Sequence, residues 1–420
     1  MALHILLITL GSAGDVHPFV GLGLELRRRG HFVTLATNAH FQSLIENAGL
    51  AFAELGTDEQ FHQLISNSDL WHPIKGLRTV FEGALLPMIR PVFDLIARER
   101  AREPVLVVSH GIAFGARFAE ETLHIPNITV HLAPLVFRSL YQHPVYQGMP
   151  MADWMPHWLK RAMFRLSDML VIERVMRPPV NAIRREMNLP PLRSVQGWWN
   201  SPGRIIGMFP DWFAPIQPDW PAQLRLSGFP LFDQGDRLQL PADLEQFLAG
   251  GTPPIVFTAG SAMRHAADFF HQSAIACQRL GQRGLLMSRF PEQIPADLPP
   301  QIRPVIYAPF SLLLPRCAAF VHHGGIGTSA QGLSAGLPTL VVPLSHDQFD
   351  NAARLVRLGT TQTLPRNRYR APKVAAMLRQ LITDPHYTQS ASAAAGRMAK
   401  TNGLHLAADL VEQSIPAVDS

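Results

Sequence analysis

Cysteine is almost missing from these 420 residues. Cys277 and Cys317 are the only two, and they lie far apart in sequence. No disulfide framework or Cys-His zinc pattern can be built from them, which makes a reducing cytosol the expected compartment. Lysine is scarce too: Lys75, Lys160, Lys373 and Lys400 are the only lysines among 37 basic residues. The arginines are scattered, and no basic stretch is interleaved with aromatics, so the net charge of +5 does not indicate nucleic-acid binding. No apolar run approaches the ~18 residues of a membrane-spanning helix. The first residues, MALHILLITLGSAGD, lack a basic start, and glycine and aspartate follow a short apolar run. A buried first strand fits them better than a signal peptide. D-x-D and H-E-x-x-H are absent, so a metal-held diphosphate is not indicated. The turn Gly11-Ser12-Ala13-Gly14-Asp15 has alanine where a dinucleotide fingerprint needs glycine, and no acidic residue ends the second predicted strand. Both absences argue against a nicotinamide or flavin cofactor.

Hydrophobic residues make up 47% of the chain, enough for two domains with their own cores. Short apolar runs at Ile5–Leu10, Phe32–Thr37, Val105–Ser109 and Ile128–His131 predict parallel strands buried on both faces. Helical patterns lie between them at Pro18–Arg29, stopped by Gly30, and at Phe41–Ala48, stopped by Gly49. Residues 135–207 break this rhythm and read as helices and loops shaping a variable pocket. Five prolines fall in Pro210–Pro230, followed by a polar stretch. The alternation restarts with strands at Pro254–Thr258, Gly284–Met287, Val305–Tyr307, Ala318–Val321 and Thr339–Pro343, and a helix at Phe269–Leu280. The expected class is α/β, with two facing Rossmann-like domains and a cleft between them. The predicted organisation is an N-terminal acceptor domain over 1–230, a linker over 231–242 and a C-terminal sugar-nucleotide domain over 243–400. A final helix over 401–420 is expected to pack back on the first domain.

The most informative segment runs from Tyr307 to Asn351. A strand leads into His323, Gly324, Gly325, Gly327, Thr328 and Ser329, and then into a helical pattern. Glycines admit a close ligand, and the open N–H groups of a helix start attract phosphate. His323 adds a donor to the same anion. After the next strand, Asp347 and Gln348 supply groups suited to sugar hydroxyls, while Asp350 and Asn351 read as the start of a helix. Ser261, after Gly260, sits at another strand end where its hydroxyl and N–H can touch phosphate. Asp15, in the first Gly-rich turn, is either a helix cap or a general base for an acceptor hydroxyl; His17 is the weaker base candidate. Residues 149–176 carry Trp154, Trp158, Met163, Phe164, Leu166, Met169 and Leu170 with Lys160, Arg161 and Arg165. Trp158 and Phe164 are the acceptor candidates. This stretch suits alkyl chains or an anionic membrane surface, or forms a buried helix.

Phe320–Thr328, Gly336–Pro338 and Pro343–Gln348 match the signature F-V-x-H-x-G-x-x-[ST], G-x-P and P-x-x-x-D-Q. In this the chain resembles the family 1 nucleotide-sugar glycosyltransferases of GT-B architecture. Within them, Gly11–Leu22, Trp199–Pro202, Phe209–Pro215, Ser227–Asp233, Tyr307–Pro315 and His346–Gly359 are similar to the rhamnosyltransferases of mono-rhamnolipid biosynthesis. The resemblance implies an inverting, metal-independent transfer of L-rhamnose from dTDP-L-rhamnose to the hydroxyl of a 3-(3-hydroxyalkanoyloxy)alkanoate. No cofactor is implied beyond the donor, and a partner enzyme would supply the acceptor. Asp15 takes the base position. His323, Thr328 and the Gly325 and Gly327 backbone take the diphosphate, and Asp347 and Gln348 the sugar. Tyr307 stands where relatives stack a tryptophan on the base, and the Ala308 backbone meets the base edge. Phe310 replaces a glutamine. Gln331 replaces a glutamate that holds two ribose hydroxyls, which favours a deoxyribose donor. The implied location is cytoplasmic, or peripheral at the inner face of the membrane. The alternatives are a UDP- or dTDP-hexose transferase for a sterol, polyketide or flavonoid, a non-catalytic partner protein, and, more distantly, an epimerase. Acceptor chain length and oligomeric state are not encoded legibly, and no role follows for His110 or His131.

Overall fold

The computed structural model describes residues 2–72, 75–235 and 238–415. These fall into two compact units. One comprises the chain up to Gly11, Pro18–Gly228 and the segment from Gly403 onward; the other comprises Ser12–His17 and Phe229–Asn402. Residues 236 and 237 of the expected linker lie outside the described residues.

The first unit is built on seven strands: β1 (His4–Ile8), β2 (Phe32–Thr37), β3 (Ala51–Glu54), β4 (Val105–His110), β5 (Asn127–His131), β6 (Arg204–Gly207) and β7 (Leu224–Leu226). All pair in parallel, in the order β3-β2-β1-β4-β5-β6-β7. The central strands are apolar at nearly every position because helices cover both faces, and Ile5, Leu6, Leu7 and Ile8 are fully buried. Sealing each such side chain contributes roughly 1.5–3 kcal/mol before chain entropy is charged against it. The first helix is longer than the pattern predicts. It runs over Ala13–Arg28 with Pro18 inside it, because Ser12 and Asp15 close its start together. The segment 135–207 does contain helices, but it ends in β6, and β7 lies among the prolines of 210–230.

The helix Gly403–Glu412 belongs to the first unit. Arg29, mostly buried, holds it through Asp409 and Glu412 at 2.6 Å each, and through the His405 carbonyl at 2.9 Å. His31 reaches Glu412 at 3.0 Å, and Glu25 reaches His405 at 3.0 Å.

The second unit has six parallel strands: β8 (Ile255–Thr258), β9 (Gly284–Met287), β10 (Ile302–Val305), β11 (Ala319–His322), β12 (Thr339–Val341) and β13 (Thr361–Thr363). Their order is β10-β9-β8-β11-β12-β13. β10 ends at Val305, so Tyr307 lies in the following loop rather than in a strand. The direction of winding reverses between β8 and β11, where Phe257 pairs with Val321. In open α/β sheets such a reversal opens a crevice beyond the strand ends. The corresponding reversal in the first unit lies between β1 and β4. Both cysteines are buried free thiols, and burial pushes each up to about 12.

Candidate functional site

The loops that flank the β8/β11 reversal are Ala259-Gly260-Ser261 and His323-Gly324-Gly325. They are locked together by one side chain. A Cβ on Gly260 would meet the His323 ring at 2.9 Å, and one on Gly325 would meet its Nε2 at 2.5 Å. The imidazole is therefore wedged between two backbones that only glycine lets approach so closely. Gly260 and Gly324 also adopt φ of +98° and +90°, where a side chain is strained. Gly324 is squeezed further, because a Cβ there would lie 2.8 Å from Val341. His322, fully buried and stacked on Phe320, accepts the Gly324 N–H at 3.1 Å and shapes the turn from beneath.

Gly325 is the N-cap of the helix Ile326–Ser334 and offers no side chain to its first turn. The leading N–H groups of that helix are thus the ones with no partner inside it. A Cβ on Gly327 would meet nothing within 4 Å. The position is therefore open beside the helix start, with room for a group to approach the backbone closely. His323 is half-buried, its Nδ1 has no hydrogen-bond partner, and burial lowers its pKa to about 4. At neutral pH the ring is uncharged, with one N–H to donate. The arrangement is a helix terminus plus an imidazole donor, suited to a phosphate. Thr328 and Gln331 lie half-buried on the same helix, and Ser261 is exposed in the turn after β8.

Asp347 and Gln348 open the helix Gln348–Arg357. Asp347 accepts the Asn351 amide at 2.7 Å. Burial raises its carboxyl to about 6, against the opposing Asn351 bond. Gln348 is buried, and its carbonyl oxygen accepts the N–H groups of Leu344 (2.7 Å) and Ser345 (3.1 Å). Its amide N–H₂ alone remains for a sugar. Asn351 also donates to the Gly324 carbonyl at 3.0 Å, which ties this helix to the Gly-rich turn. Asp350 pairs with Arg354 at 2.8 Å in the interior. Sequence reasoning missed the Asn351 tie; the N-x-x at a fixed offset after D-Q was its only trace.

Tyr307 donates its hydroxyl to the Asp233 carbonyl at 2.9 Å, and the Arg289 guanidinium lies 5.4 Å from its ring centroid. One ring face is thus already occupied, so a stacked base would use the other. Ala308 is buried, and Phe310 packs on Phe320.

Asp15 is not the helix N-cap. It is the third helical residue, and its Oδ2 accepts the Ser12 backbone N–H at 2.7 Å and the Ser12 hydroxyl at 3.1 Å. This is the returning half of a capping box. Burial raises its carboxyl above the ordinary range, and the two Ser12 bonds offset part of that rise. The segment Ser12–His17 falls in the same compact unit as His323 and Asp347. His17 lies inside the first helix, its ring edge-on to Phe232 at 5.8 Å, and burial lowers it to about 4.

The 149–176 stretch divides in two. Trp154 and Trp158 are 81% and 70% exposed, and Leu166, Met169, Leu170 and Val171 are exposed with them. Phe164 is buried beside Tyr146, with Arg138 5.2 Å over its ring, so it is not part of this surface. Lys160 is also buried, donating to the carbonyls of Leu140 and Asp153 at 3.3 Å. Both corrections have one cause: the helix His157–Ser167 turns one face inward, and Lys160 and Phe164 are the i and i+4 positions of that face. His110 and His131 are buried at the ends of β4 and β5, and burial lowers each to about 4. Among the described residues no helix is long and apolar enough to cross a membrane.

Comparison with known proteins adds the identity of the fold. Residues 5–142 match the glycosyltransferase family 28 N-terminal domain, and residues 289–412 match the C-terminal domain of erythromycin biosynthesis protein CIII-like proteins. An O-mycaminosyltylonolide 6-deoxyallosyltransferase of Streptomyces fradiae is 32% identical, covering 98% of this chain and 97% of its own. Among solved structures, the glycosyltransferase VinC in complex with dTDP superposes with a TM-score of 0.67 at 18% identity, over 98% of this chain and 99% of VinC. The spinosyn rhamnosyltransferase SpnG does so with a TM-score of 0.66 at 17% identity, over 98% of this chain and all of SpnG. With two parallel-sheet Rossmann-like units of the GT-B class, this chain belongs to the nucleotide-sugar glycosyltransferases of the macrolide and polyketide type.

Proposed function

We propose that the protein transfers L-rhamnose from dTDP-L-rhamnose to the hydroxyl of a 3-(3-hydroxyalkanoyloxy)alkanoate, with inversion at the anomeric carbon. The observation that carries the transfer step is the His323 wedge at the start of the helix Ile326–Ser334. There, uncapped N–H groups and one neutral imidazole donor converge beside an open glycine position. They would bind the donor diphosphate and stabilise it as it leaves. Asp347, with the Gln348 amide, would hold the sugar hydroxyls. Asp15 would remove the proton from the acceptor hydroxyl as its oxygen attacks the anomeric carbon. Its bonds to Ser12 orient the carboxylate, and its raised pKa strengthens it as a base. Tyr307 and the Ala308 backbone would receive the base. Gln331, an uncharged partner for the single hydroxyl of a deoxyribose, favours dTDP over UDP. The relative from Streptomyces fradiae is named for transfer of a 6-deoxy sugar, the same chemical class as rhamnose.

The acceptor is an acidic lipid, and the exposed face around Trp158 suits its source. Trp154, Trp158, Leu166, Met169 and Leu170 are exposed together with Arg161, Arg165 and Arg174. Two neighbouring acids face elsewhere: Asp168 pairs with Arg138, and Glu173 accepts from Ser194 and Val195. Asp153 beside Trp154 is exposed, so the rim carries one acid against three arginines. An apolar, aromatic face with this cationic excess fits an anionic bilayer surface and peripheral attachment there. A macrolide-like aglycone is the second reading, favoured by the name of the same relative. Incubation with dTDP-rhamnose or UDP-glucose, each with a hydroxyacyl lipid or a macrolide aglycone, separates the readings by product mass. Rhamnosylated lipid is the expected product. Exclusive glycosylation of the macrolide would remove the lipid reading, and exclusive use of UDP-glucose would remove the donor assignment.

A further inference from the structure

We infer that His40, Asp58 and His62 form a binding site for a zinc-class divalent metal ion in the first unit. His40 lies in the short turn after β2, and Asp58 and His62 lie in the helix Asp58–Ser66 after β3. One ligand atom from each residue falls within 4.8 Å of the other two. His40 Nδ1 lies 2.8 Å from one Asp58 oxygen, and His62 Nε2 lies 3.5 Å from the other. Two ligands on a tetrahedral zinc ion with bonds of about 2.0–2.1 Å are about 3.3 Å apart, so an ion would replace the 2.8 Å His40–Asp58 hydrogen bond and draw the groups in from their present spread of up to 4.8 Å. The 3.5 Å distance is long for a charge-assisted hydrogen bond but natural for two groups sharing an ion.

The three groups are also held in place by their surroundings. Asp58 and His62 are four residues apart on one helix, so they share a face. A capping box between Thr57 and Gln60 fixes the start of that helix. His40 is stacked on Phe61, with ring centroids 4.3 Å apart and an interplanar angle of 17°, and stands edge-on to the buried Phe41. Asn38 accepts the His40 N–H at 2.9 Å and donates to the Thr57 carbonyl at 2.8 Å, joining the two ligand-bearing segments directly. Such supporting contacts preorganise a first coordination shell. Two imidazoles and one carboxylate select zinc, nickel or copper over magnesium or calcium. Three protein ligands leave one position for water or an added group. Bound there, the ion would clasp the turn after β2 to the helix after β3.

The test uses the full chain without a histidine tag, stripped with a chelator and titrated with Zn²⁺ by calorimetry. Melting temperature is read in parallel, and Mg²⁺ serves as the comparison ion. The expected result is one Zn²⁺ per chain with a raised melting temperature, no response to Mg²⁺, and at least tenfold weaker binding in His40→Ala and in His62→Ala. Both histidines are partly exposed, so these variants should keep the parent circular dichroism. The Co²⁺-loaded parent should show a d–d absorption spectrum that His62→Ala lacks. Absence of Zn²⁺ binding in the parent, or undiminished binding in His40→Ala/His62→Ala, would overturn the inference.

Discussion

Replacing Asp15 by Asn tests the transfer mechanism at the point where fold and chemistry share a residue. An asparagine keeps an oxygen in place for the Ser12 N–H at 2.7 Å and the Ser12 hydroxyl at 3.1 Å, so the helix start should survive. The charge that burial penalises is removed, so stability at neutral pH should hold or rise slightly. Only the proton acceptor is lost. General-base catalysis contributes roughly 10²–10⁴ in rate, which is about 2.7–5.5 kcal/mol of barrier. The expected outcome is therefore a fall of that size in kcat with donor affinity retained. Single-turnover mass spectrometry would give the rate, and calorimetry with dTDP the affinity. Ser12→Ala supplies the control for pKa. It removes one bond that holds the carboxylate ionised, so the acid limb of the kcat profile should move to higher pH. The sign for stability follows from the same shift. A folded-state pKa above the unfolded one means that the native state binds the extra proton, so stability falls as pH rises from the unfolded value through the folded one. Near-normal turnover in Asp15→Asn would exclude this carboxylate as the base.

Other consequences are equally direct. Gly325→Ala places a methyl 2.5 Å from His323 Nε2 while its φ of −58° suits alanine. It should cost turnover roughly as His323→Ala does, about 10²–10³-fold, and lower the melting temperature, because Gly260 backs the imidazole on its other side. Gly327→Ala meets no protein atom and should fold normally, yet raise the donor KM in steady-state assays. Because the Asp347 carboxyl lies at about 6, donor affinity should weaken as pH falls through that value, and Asp347→Asn should flatten this dependence in titrations. Arg29→Ala leaves Asp409 and Glu412 without their shared cation. Urea denaturation should show a loss of about 2 kcal/mol, between the values for exposed and buried pairs. Trp158→Glu should reduce sedimentation with anionic vesicles, whereas Phe164→Leu, an interior change, should not.

The sequence made some of this legible and concealed the rest for physical reasons. The central strands stood out because burial on both faces demands unbroken apolar runs, as at Ile5–Ile8 and Gly284–Met287. The edge strands did not. Leu224–Leu226 is short and carries an arginine, Ala51–Glu54 is only partly buried, and Ile302–Val305 holds a proline that an edge position tolerates. Asp15 could be placed at a turn but not in a capping box, because Ser-x-x-Asp also occurs in plain loops. The wedge around His323 was invisible, since Gly260 is brought beside it only by the β8/β11 pairing. The exposed run Met169–Val171 escaped any periodic reading because the chain makes a π-helical turn over Asp168–Ile172. That turn shifts the later side chains off the 3.6-residue stripe.

Arg29 and the helix Gly403–Glu412 have a consequence for biosynthesis. Two segments 380 positions apart in sequence are joined within one compact unit. During translation the first unit must wait, with one flank uncovered, until Gly403–Glu412 has been made. A ribosome stalled anywhere in the second Rossmann-like unit would therefore present a nascent first half lacking its final brace, and such chains should be preferred clients for chaperones and proteases.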